Sequence, residues 1–290
     1  MTLASLLLVV LASFIHASWN LLAKRAASVG PVFVFAYNLI ACASYAPWVF
    51  YLLAKGAIAW TWEGTGFVLL SGVIHLAYSL CLQRGYQVAD LSVVYPVARG
   101  TGPMLSTLGA ILILGEAPTA QGLVGLALVL VGISLIATRG DLSAFRRPCG
   151  QAGIRWGTAT GGLIASYTVV DAYAVKALGI APVVLDWFSN LLRFFLLLPL
   201  VVANPRRALE RMHGYWWIAL GVGLLSPLSY ILILAALTAG APLSLVAPMR
   251  EMSMMIGALM GMLILHEVVG PWRLAGCAVL IAGVILLSAV

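Results

Sequence analysis

The amino-acid sequence repeats itself at an offset of 152 residues. The segment LSVVYP at 91–96 recurs as LSLVAP at 243–248, and a glutamate and two glycines recur at an offset of 151. The matching pairs are Tyr78 and Tyr230, Asn38 and Asn190, Ala89 and Ala241, Glu116 and Glu267, Gly125 and Gly276, and Gly132 and Gly283. This period is too long for a solenoid, so we expect a chain made by duplication of one large unit.

Composition decides the solvent in which this duplicated chain folds. Hydrophobic residues make up 63% of the 290 residues, charged residues 9%, and the mean hydropathy is +1.07. A soluble domain has about 45–50% apolar and about 25% charged residues. No water-soluble fold could cover this much apolar surface, so we expect the chain to fold in lipid. The apolar runs are about 20 residues long and lack the alternation of a membrane barrel, which predicts membrane-spanning helices.

Ten apolar segments have the length of a membrane span. They lie at 2–22, 31–53, 65–83, 91–114, 120–138, 153–175, 183–203, 215–237, 242–265 and 271–289. The longest polar stretch falls midway, so we divide the chain into repeats at 1–140 and 156–290, joined by a connecting loop at 141–155. Five spans per half is an odd number, so the second half enters the bilayer from the opposite face. The predicted fold is an all-α polytopic membrane protein of ten transmembrane helices in two inverted five-helix repeats.

Basic residues are distributed unevenly between the loops on the two sides. Loops after odd-numbered spans carry Lys24, Arg25, Arg84, Arg139, Arg146, Arg147, Arg155, Arg206, Arg207, Arg211 and Arg273, whereas loops after even-numbered spans carry Lys55 and Lys176. Positively charged loops usually stay in the cytoplasm, so this distribution predicts that both termini lie outside.

The fourth and ninth spans combine prolines with charged residues at membrane depth: Pro96, Arg99 and Pro103 in the fourth, and Pro248, Arg250 and Glu251 in the ninth. Proline removes a backbone donor, and a kinked or broken helix is tolerated in a membrane where it lines a wet cavity. We therefore predict that both spans are broken helices around a central cavity, with Arg99 and Arg250 facing it. Alternatively, the prolines only kink the helices, and Arg250 and Glu251 compensate each other.

The first and sixth spans carry further polar groups. His16, Trp19 and Asn20 are three or four residues apart, which places them on one face of a helix, and the sixth span carries Tyr167 and Asp171. A small polar substrate could use such a face, unless Trp19 is an interfacial anchor. His16 and Asp171 are candidates for proton coupling, because histidine titrates near neutrality and burial favours a neutral carboxyl group.

Aromatic residues of the third, fourth and eighth spans complete the predicted site. His75 and Tyr78 are three residues apart on one helix face, and Tyr230 is the repeat partner of Tyr78. Asn190, by contrast, is expected to join helices by hydrogen bonds. The predicted substrate-binding residues are His16, Trp19, Asn20, His75, Tyr78, Tyr95, Arg99, Tyr167, Asp171, Tyr230, Arg250 and Glu251.

Small residues in the sixth span predict a close helix contact. Gly153, Gly157 and Gly161 form two consecutive GxxxG steps, and such faces let two helices approach closely. The contact serves either packing within one chain or a homodimer.

Sequence signals for enzymatic chemistry are missing. His266 and Glu267 begin like a zinc-protease HExxH motif, but the second histidine is absent. No GxSxG, Walker A or Rossmann glycine pattern occurs, and the four cysteines are isolated. The net charge of +7 lies in short loops without a basic stripe, so it does not indicate nucleic acid. We therefore predict no catalytic residue, no metal and no cofactor.

These residues resemble the EamA-type members of the drug/metabolite transporter superfamily. The resemblance is carried by HASWNLLAK at 16–24, LSVVYP at 91–96, the Pro248 segment, and the turns at Glu116 and Glu267. It implies a basket-like helical fold with a central cavity lined by the first, third, fourth, sixth, eighth and ninth spans. It also implies a multi-pass protein of the bacterial inner membrane with both termini in the cytoplasm, which is opposite to the distribution of basic residues.

The repeats and the resemblance together indicate a function. We expect a secondary active transporter that moves a small polar metabolite, such as an amino acid or an organic anion, by alternating access, as an exporter coupled to protons. The arginines favour an anionic or zwitterionic substrate, such as a carboxylate or a phosphonate. The expected partners are this substrate and membrane lipids. The alternative is an intramembrane transferase that acts on a lipid-linked substrate.

Overall fold

The computed structural model describes residues 2–56, 61–89, 91–141, 143, 148–265 and 270–289, which form helices and turns without a strand. The helices are α1 (Leu3–Arg25), α2 (Pro31–Ala54), α3 (Trp62–Val88), α4 (Leu91–Leu112), α5 (Ala120–Thr138), α6 (Pro148–Lys176), α7 (Pro182–Val202), α8 (Pro205–Met212), α9 (Trp216–Thr238), α10 (Leu243–Met249), α11 (Met252–Leu265) and α12 (Pro271–Ser288). His266 and Glu267 lie outside the described residues.

The helices begin where the turn chemistry of the sequence predicts. Proline is the first residue of α2, α7, α8 and α12, where its missing N–H costs no helical hydrogen bond. The helices α3 and α5 begin with threonine caps. The hydroxyl oxygens of Thr61 and Thr119 accept hydrogen bonds from the N–H groups of Gly64 and Gly122, each over 3.0 Å. Gly240 has a φ of 91°, which only glycine adopts readily, and turns the chain from α9 into α10.

Eight segments of the described chain are long and apolar enough to cross a membrane. They are the greater part or all of α1, α2, α3, α5, α7, α9 and α12, together with Leu243–Met260 of α10 and α11. Large apolar side chains point outward on these helices, as at Leu7, Phe14 and Phe195, each more than half exposed. An apolar exterior of this extent belongs in lipid, and the protein is a multi-pass membrane protein.

The helices α4 and α6 match the fourth and sixth predicted spans. They are too polar to be recognised as membrane spans by mean hydropathy. They run parallel and pack against each other more extensively than any other pair of helices in the described chain. Glycines of α6 allow the close approach: Gly153 lies against Val93, Gly157 against Val97, and Gly161 against Thr101. The predicted GxxxG face is therefore covered within one chain, and protein rather than lipid surrounds much of both helices.

Replacement of Gly157 by alanine is expected to destabilise the protein by about 1–3 kcal/mol through overpacking. A Cβ atom at this position would lie 2.7 Å from Cβ of Val97 and 2.9 Å from the backbone oxygen of Val94. Gly162 is the matched control because a Cβ atom there meets nothing within 4 Å. Gly162→Ala should be neutral or stabilise the helix by up to about 1 kcal/mol. Thermal unfolding in detergent measures both variants, and equal melting temperatures would contradict the packing.

The helices α5 and α12 form the second large contact, and they run antiparallel. Gly125 faces Gly283 and Gly132 faces Gly276. A Cβ atom at Gly132 would lie only 2.8 Å from the backbone oxygen of Gly276, so the two backbones touch through four glycines.

The ninth predicted span is broken, as expected. The helix α10 ends at Met249 and α11 begins at Met252, so Arg250 and Glu251 lie between two helical segments. All seven residues of α10 are buried, and this segment belongs to the main apolar core of the bundle.

The fourth span and the connecting loop differ from the prediction. The helix α4 is one uninterrupted element with Pro96 and Pro103 inside it, so the prediction of a broken fourth helix is wrong. Contact with α6 keeps α4 helical at both prolines. Each proline removes only one backbone hydrogen-bond donor. The helix α6 begins at Pro148, so residues 148–155 of the stretch assigned to the loop are helical.

Candidate functional site

A cavity of about 270 Å³ lies between the two halves of the chain. The helices α1 to α4 of the first half and α6, α7 and α9 of the second half form its wall, together with the residue after α10. The lining residues are Ala12, His16, Trp19, Asn20, Tyr37, His75, Tyr78, Ser79, Leu82, Tyr95, Ala98, Arg99, Ile164, Tyr167, Asp186, Asn190, Arg193, Ser226, Pro227, Ser229, Tyr230, Ile233 and Arg250.

Ten of the twelve predicted substrate-binding residues line this cavity: His16, Trp19, Asn20, His75, Tyr78, Tyr95, Arg99, Tyr167, Tyr230 and Arg250. The other two, Asp171 and Glu251, stand behind the lining. Both are fully buried and contact side chains that reach the cavity. Their contribution to the cavity is therefore indirect, through the residues that they hold.

Three neighbours hold Arg99 in the wall. Its Nη1 donates a hydrogen bond to Oε1 of Glu251 over 3.3 Å, and its Nη2 lies 3.4 Å from Nε2 of His16. An arginine side chain only donates, so Nε2 of His16 is the acceptor in this contact and carries no proton. The guanidinium also lies over the Tyr95 ring, 5.6 Å from its centroid.

Arg250 lies in the break between α10 and α11, with only 5% of its surface exposed. Its Nε is 3.9 Å from Oε1 of Glu251 and has no hydrogen-bond partner among the described residues. Glu251 therefore faces two guanidinium groups and lies closer to that of Arg99. A buried guanidinium on a cavity wall whose Nε makes no hydrogen bond is suited to bind an anionic group.

Asp171 is surrounded by aromatic side chains. Its Oδ2 accepts a hydrogen bond from Oη of Tyr230 over 2.5 Å and lies 3.1 Å from Nε2 of His75. The His75 ring stacks on Tyr167 with 4.0 Å between centroids, and Tyr78 packs edge-on against Tyr167. The second oxygen, Oδ1, has no partner in the described part of the chain. Tyr230 and His75 thus hold the carboxyl group through one oxygen.

The polar face of α1 reaches the cavity as predicted. Nε1 of Trp19 donates a hydrogen bond to Oγ of Ser229 on α9 over 3.2 Å, and the indole ring packs edge-on against His16 at 4.9 Å. Nδ2 of Asn20 donates to the backbone oxygen of His16 over 2.9 Å. Trp19 thus joins α1 to α9 at the cavity wall.

Helix α7 contributes three lining residues that the sequence analysis did not assign to the site. Nδ2 of Asn190 donates to Oδ2 of Asp186 over 2.8 Å, and Oδ1 of Asn190 accepts from Nη2 of Arg193 over 2.5 Å. Spacings of four and three residues place the three side chains on one helix face, and this pattern could have revealed them. Tyr37 of α2 also lines the cavity, and no polar neighbour on its face marks it in the sequence.

Comparison with known proteins identifies the first half of the chain. The EamA-like transporter family matches residues 3–138. These residues belong to that family. The EamA-like family is part of the drug/metabolite transporter superfamily, and its members are transporters. The resemblance that the sequence motifs carry is therefore confirmed.

A second comparison covers both halves of the chain. A solved crystal structure superimposes with a TM-score of 0.76 at 16% sequence identity, and the alignment covers 100% of this chain and 98% of the other chain. At this identity the similarity concerns the fold alone.

Proposed function

We propose that this EamA-like protein is a secondary active transporter that moves a small polar metabolite across the bacterial cytoplasmic membrane by alternating access. The observation that carries the proposal is a polar cavity between the two halves with the guanidinium of Arg250 on its wall, whose Nε makes no hydrogen bond to any described residue. Pockets for drug-sized ligands have volumes of about 300–1,000 Å³, so a cavity of about 270 Å³ favours a metabolite of the size of an amino acid or a small organic anion.

The contact between α5 and α12 supports two inverted repeats. The repeat partners of Gly125 and Gly132 are Gly276 and Gly283. Gly125 contacts Gly283, and Gly132 contacts Gly276. If the two repeats are exchanged, the first contact becomes the second and the second becomes the first. A two-fold axis between the helices has this effect. Because the two helices are antiparallel, this axis lies in the membrane plane, as inverted repeats require.

The remaining helix contacts support the same symmetry and an arrangement of ten spans. By sequence offset, α1 corresponds to α6, α2 to α7, and α3 to α9. Helix α1 packs on α9 as α3 packs on α6, and α2 packs on α9 as α3 packs on α7. Two similar bundles around one cavity can exchange conformations and open the cavity to either side in turn.

The charges of the wall support an anionic or zwitterionic substrate. Arg99 and Arg250 share the single carboxylate of Glu251, so an anionic group of the substrate would supply the missing countercharge. On α7, Asp186 and Asn190 present oxygen atoms that can accept hydrogen bonds from an ammonium or hydroxyl group. A bound zwitterion would place its anionic group near the two arginines and its cationic group near Asp186 and Asn190.

The geometry favours Asp171 over His16 as the group that carries the coupled proton. Nε2 of His16 accepts from Arg99, and a proton on this nitrogen would face a guanidinium group. Within the described part of the chain, Oδ2 of Asp171 contacts His75 and Tyr230, and its Oδ1 makes no hydrogen bond and is open to a proton. Proton movement inward through this site would drive export of the metabolite.

Flux measurements in sealed vesicles test the proposal. Purified protein in vesicles with an imposed pH gradient is expected to move at least one member of a panel of amino acids, dicarboxylates and phosphonates, and flux should collapse with the gradient. Protein that moves no member of the panel, yet turns over a lipid-linked substrate in detergent, would instead support an intramembrane transferase.

A further inference from the structure

Glu116 lies in the turn between α4 and α5, outside the membrane-spanning helices. Its Oε1 accepts hydrogen bonds from the backbone N–H of Leu243 over 2.7 Å and from Nζ of Lys176 over 3.0 Å. Its Oε2 accepts one from the N–H of Ser244 over 2.9 Å. The side chain is only 11% exposed. We call the Glu116 carboxylate, the Lys176 ammonium and these two N–H groups the Glu116 latch.

The latch joins the two halves of the chain at the beginning of α10. The first N–H groups of a helix have no partner inside it, and a carboxylate at this end also interacts favourably with the helix dipole. Such caps usually come from the residues just before the helix, whereas this one comes from a turn 127 residues earlier in the chain. Movement of the first half against the second must therefore break these bonds or carry α10 along.

The short helix α10 connects the latch to the cavity. All of its residues are buried, and Arg250 directly follows its last residue. Seven helical residues span about 10 Å, so a displacement at the start of α10 reaches the guanidinium of Arg250 within two turns of helix. The position of Arg250 is therefore tied to that of Glu116.

The latch lies at one end of the bundle, and the cavity extends toward the other end. Because α4 and α6 are parallel, Glu116 and Lys176 stand together at the C-terminal ends of these helices. Arg99 lies in the first half of α4, about 20 Å of helix before its end. The α3 lining residues Ser79 and Leu82 lie in the second half of α3, near the start of α4. The latch thus closes the end of the bundle away from these residues.

Electrostatics keep the latch closed at neutral pH. Burial of the Glu116 carboxyl group on its own raises its pKa, but the N–H groups of Ser244 and Leu243 and the Lys176 ammonium outweigh burial and lower the pKa below its ordinary value. The carboxylate is therefore charged at neutral pH. The charged carboxylate stabilises the conformation with the closed latch. This stabilisation is fully present above the ordinary glutamate pKa and is lost as the pH falls through the lowered pKa.

We propose that Glu116 is a positioning residue that holds α10, and with it Arg250, in the conformation whose cavity is closed to the Glu116 face of the membrane. The inference builds on the proposed alternating-access transport. Opening of the cavity to the Glu116 face requires release of the latch, and re-formation of the latch returns Arg250 to its place on the wall.

The test measures from which face a cysteine in the cavity is reached. Ser79→Cys is introduced on the cavity wall of a protein whose four native cysteines are replaced, and a membrane-impermeant maleimide is added to one side of oriented vesicles. A second reporter, Ala117→Cys, is exposed beside Glu116 and identifies the Glu116 face. The parent protein is expected to label at position 79 mainly from the opposite face.

Glu116→Gln is expected to raise labelling from the Glu116 face by about tenfold relative to the opposite face, because charge-assisted hydrogen bonds are lost. Glu63→Gln is the matched control, since Glu63 is an exposed glutamate in the first turn of α3 and its replacement should leave the ratio unchanged. An unchanged ratio in folded Glu116→Gln protein overturns the proposal, and so does a fall in melting temperature without a change in the ratio.

Lys176→Gln keeps the test decisive if Glu116→Gln does not fold. It removes the ammonium but leaves the two backbone hydrogen bonds of Glu116, so a smaller shift in the same direction is expected, and no shift overturns the proposal. Labelling requires no substrate. A shifted ratio in a protein without flux would therefore contradict the transport function alone, whereas an unchanged ratio with intact flux would contradict the latch alone.

Discussion

Arg250→Ala is expected to weaken substrate binding by about 100-fold or more, because an anionic group would lose its buried countercharge. Nε of Arg250 is 3.9 Å from Oε1 of Glu251 and makes no hydrogen bond to a described residue, and Arg99 is already bonded to Glu251. Arg250→Lys keeps a positive charge without the planar fork of donors, so it should retain part of the affinity. Affinity is measured from the rise in melting temperature with increasing concentration of the metabolite that stabilises the parent protein most.

Two further arginine variants separate binding from folding. Arg99→Ala leaves the buried Glu251 without its closer cation, so it should lower the stability of the protein by about 3–5 kcal/mol. Arg206→Ala, on the exposed surface of α8, should change neither stability nor affinity. If Arg250→Ala lowers the melting temperature as much as Arg99→Ala while affinity is retained, Arg250 is a structural residue and the assignment is contradicted.

Asp171→Asn is expected to abolish the part of the flux that a pH gradient drives, while exchange of the metabolite at equal pH continues. The amide oxygen can still accept the hydrogen bond from Tyr230, so the side chain keeps its place but no longer takes up or releases a proton. The measurement compares accumulation with and without the gradient in vesicles that contain equal amounts of protein.

His16→Asn distinguishes the two candidates for proton coupling. His16 accepts from Arg99, so its replacement should weaken binding modestly and leave the response to the pH gradient in place. If the gradient-driven component instead survives Asp171→Asn and disappears in His16→Asn, the proton is carried by His16.

The helical architecture could be predicted well from the sequence, because in lipid the length and apolar character of a segment nearly decide its structure. Every one of the ten predicted segments overlaps a helix. The sequence predicted the break before Met252 but also a break in α4 that the structure does not have. The difference lies in tertiary packing: α4 lies along α6 over its length, and this partner could not be identified from the residues of α4 alone.

The candidate site was predicted less completely. Polar residues at helical spacing within an apolar span could be recognised, as with His16, Trp19 and Asn20. Arg193 was not assigned to the site, whereas it donates a hydrogen bond to Asn190 at the cavity wall. The pairing of Arg99 with Glu251 joins residues far apart in sequence and depends on how the halves meet, which no local pattern records. For the same reason the sequence could not show that Arg99 lies closer to Glu251 than Arg250 does.

Solute counterflow is the most direct test of transport through the cavity between the two halves. Vesicles containing the protein are loaded with a metabolite that stabilises it and are diluted into a trace of the same metabolite carrying a radioactive label. A carrier whose site faces one side at a time is expected to accumulate label transiently inside, above the outside concentration, without any pH gradient. Simple equilibration of label, or no uptake at all, with every stabilising metabolite and folded protein would contradict the account.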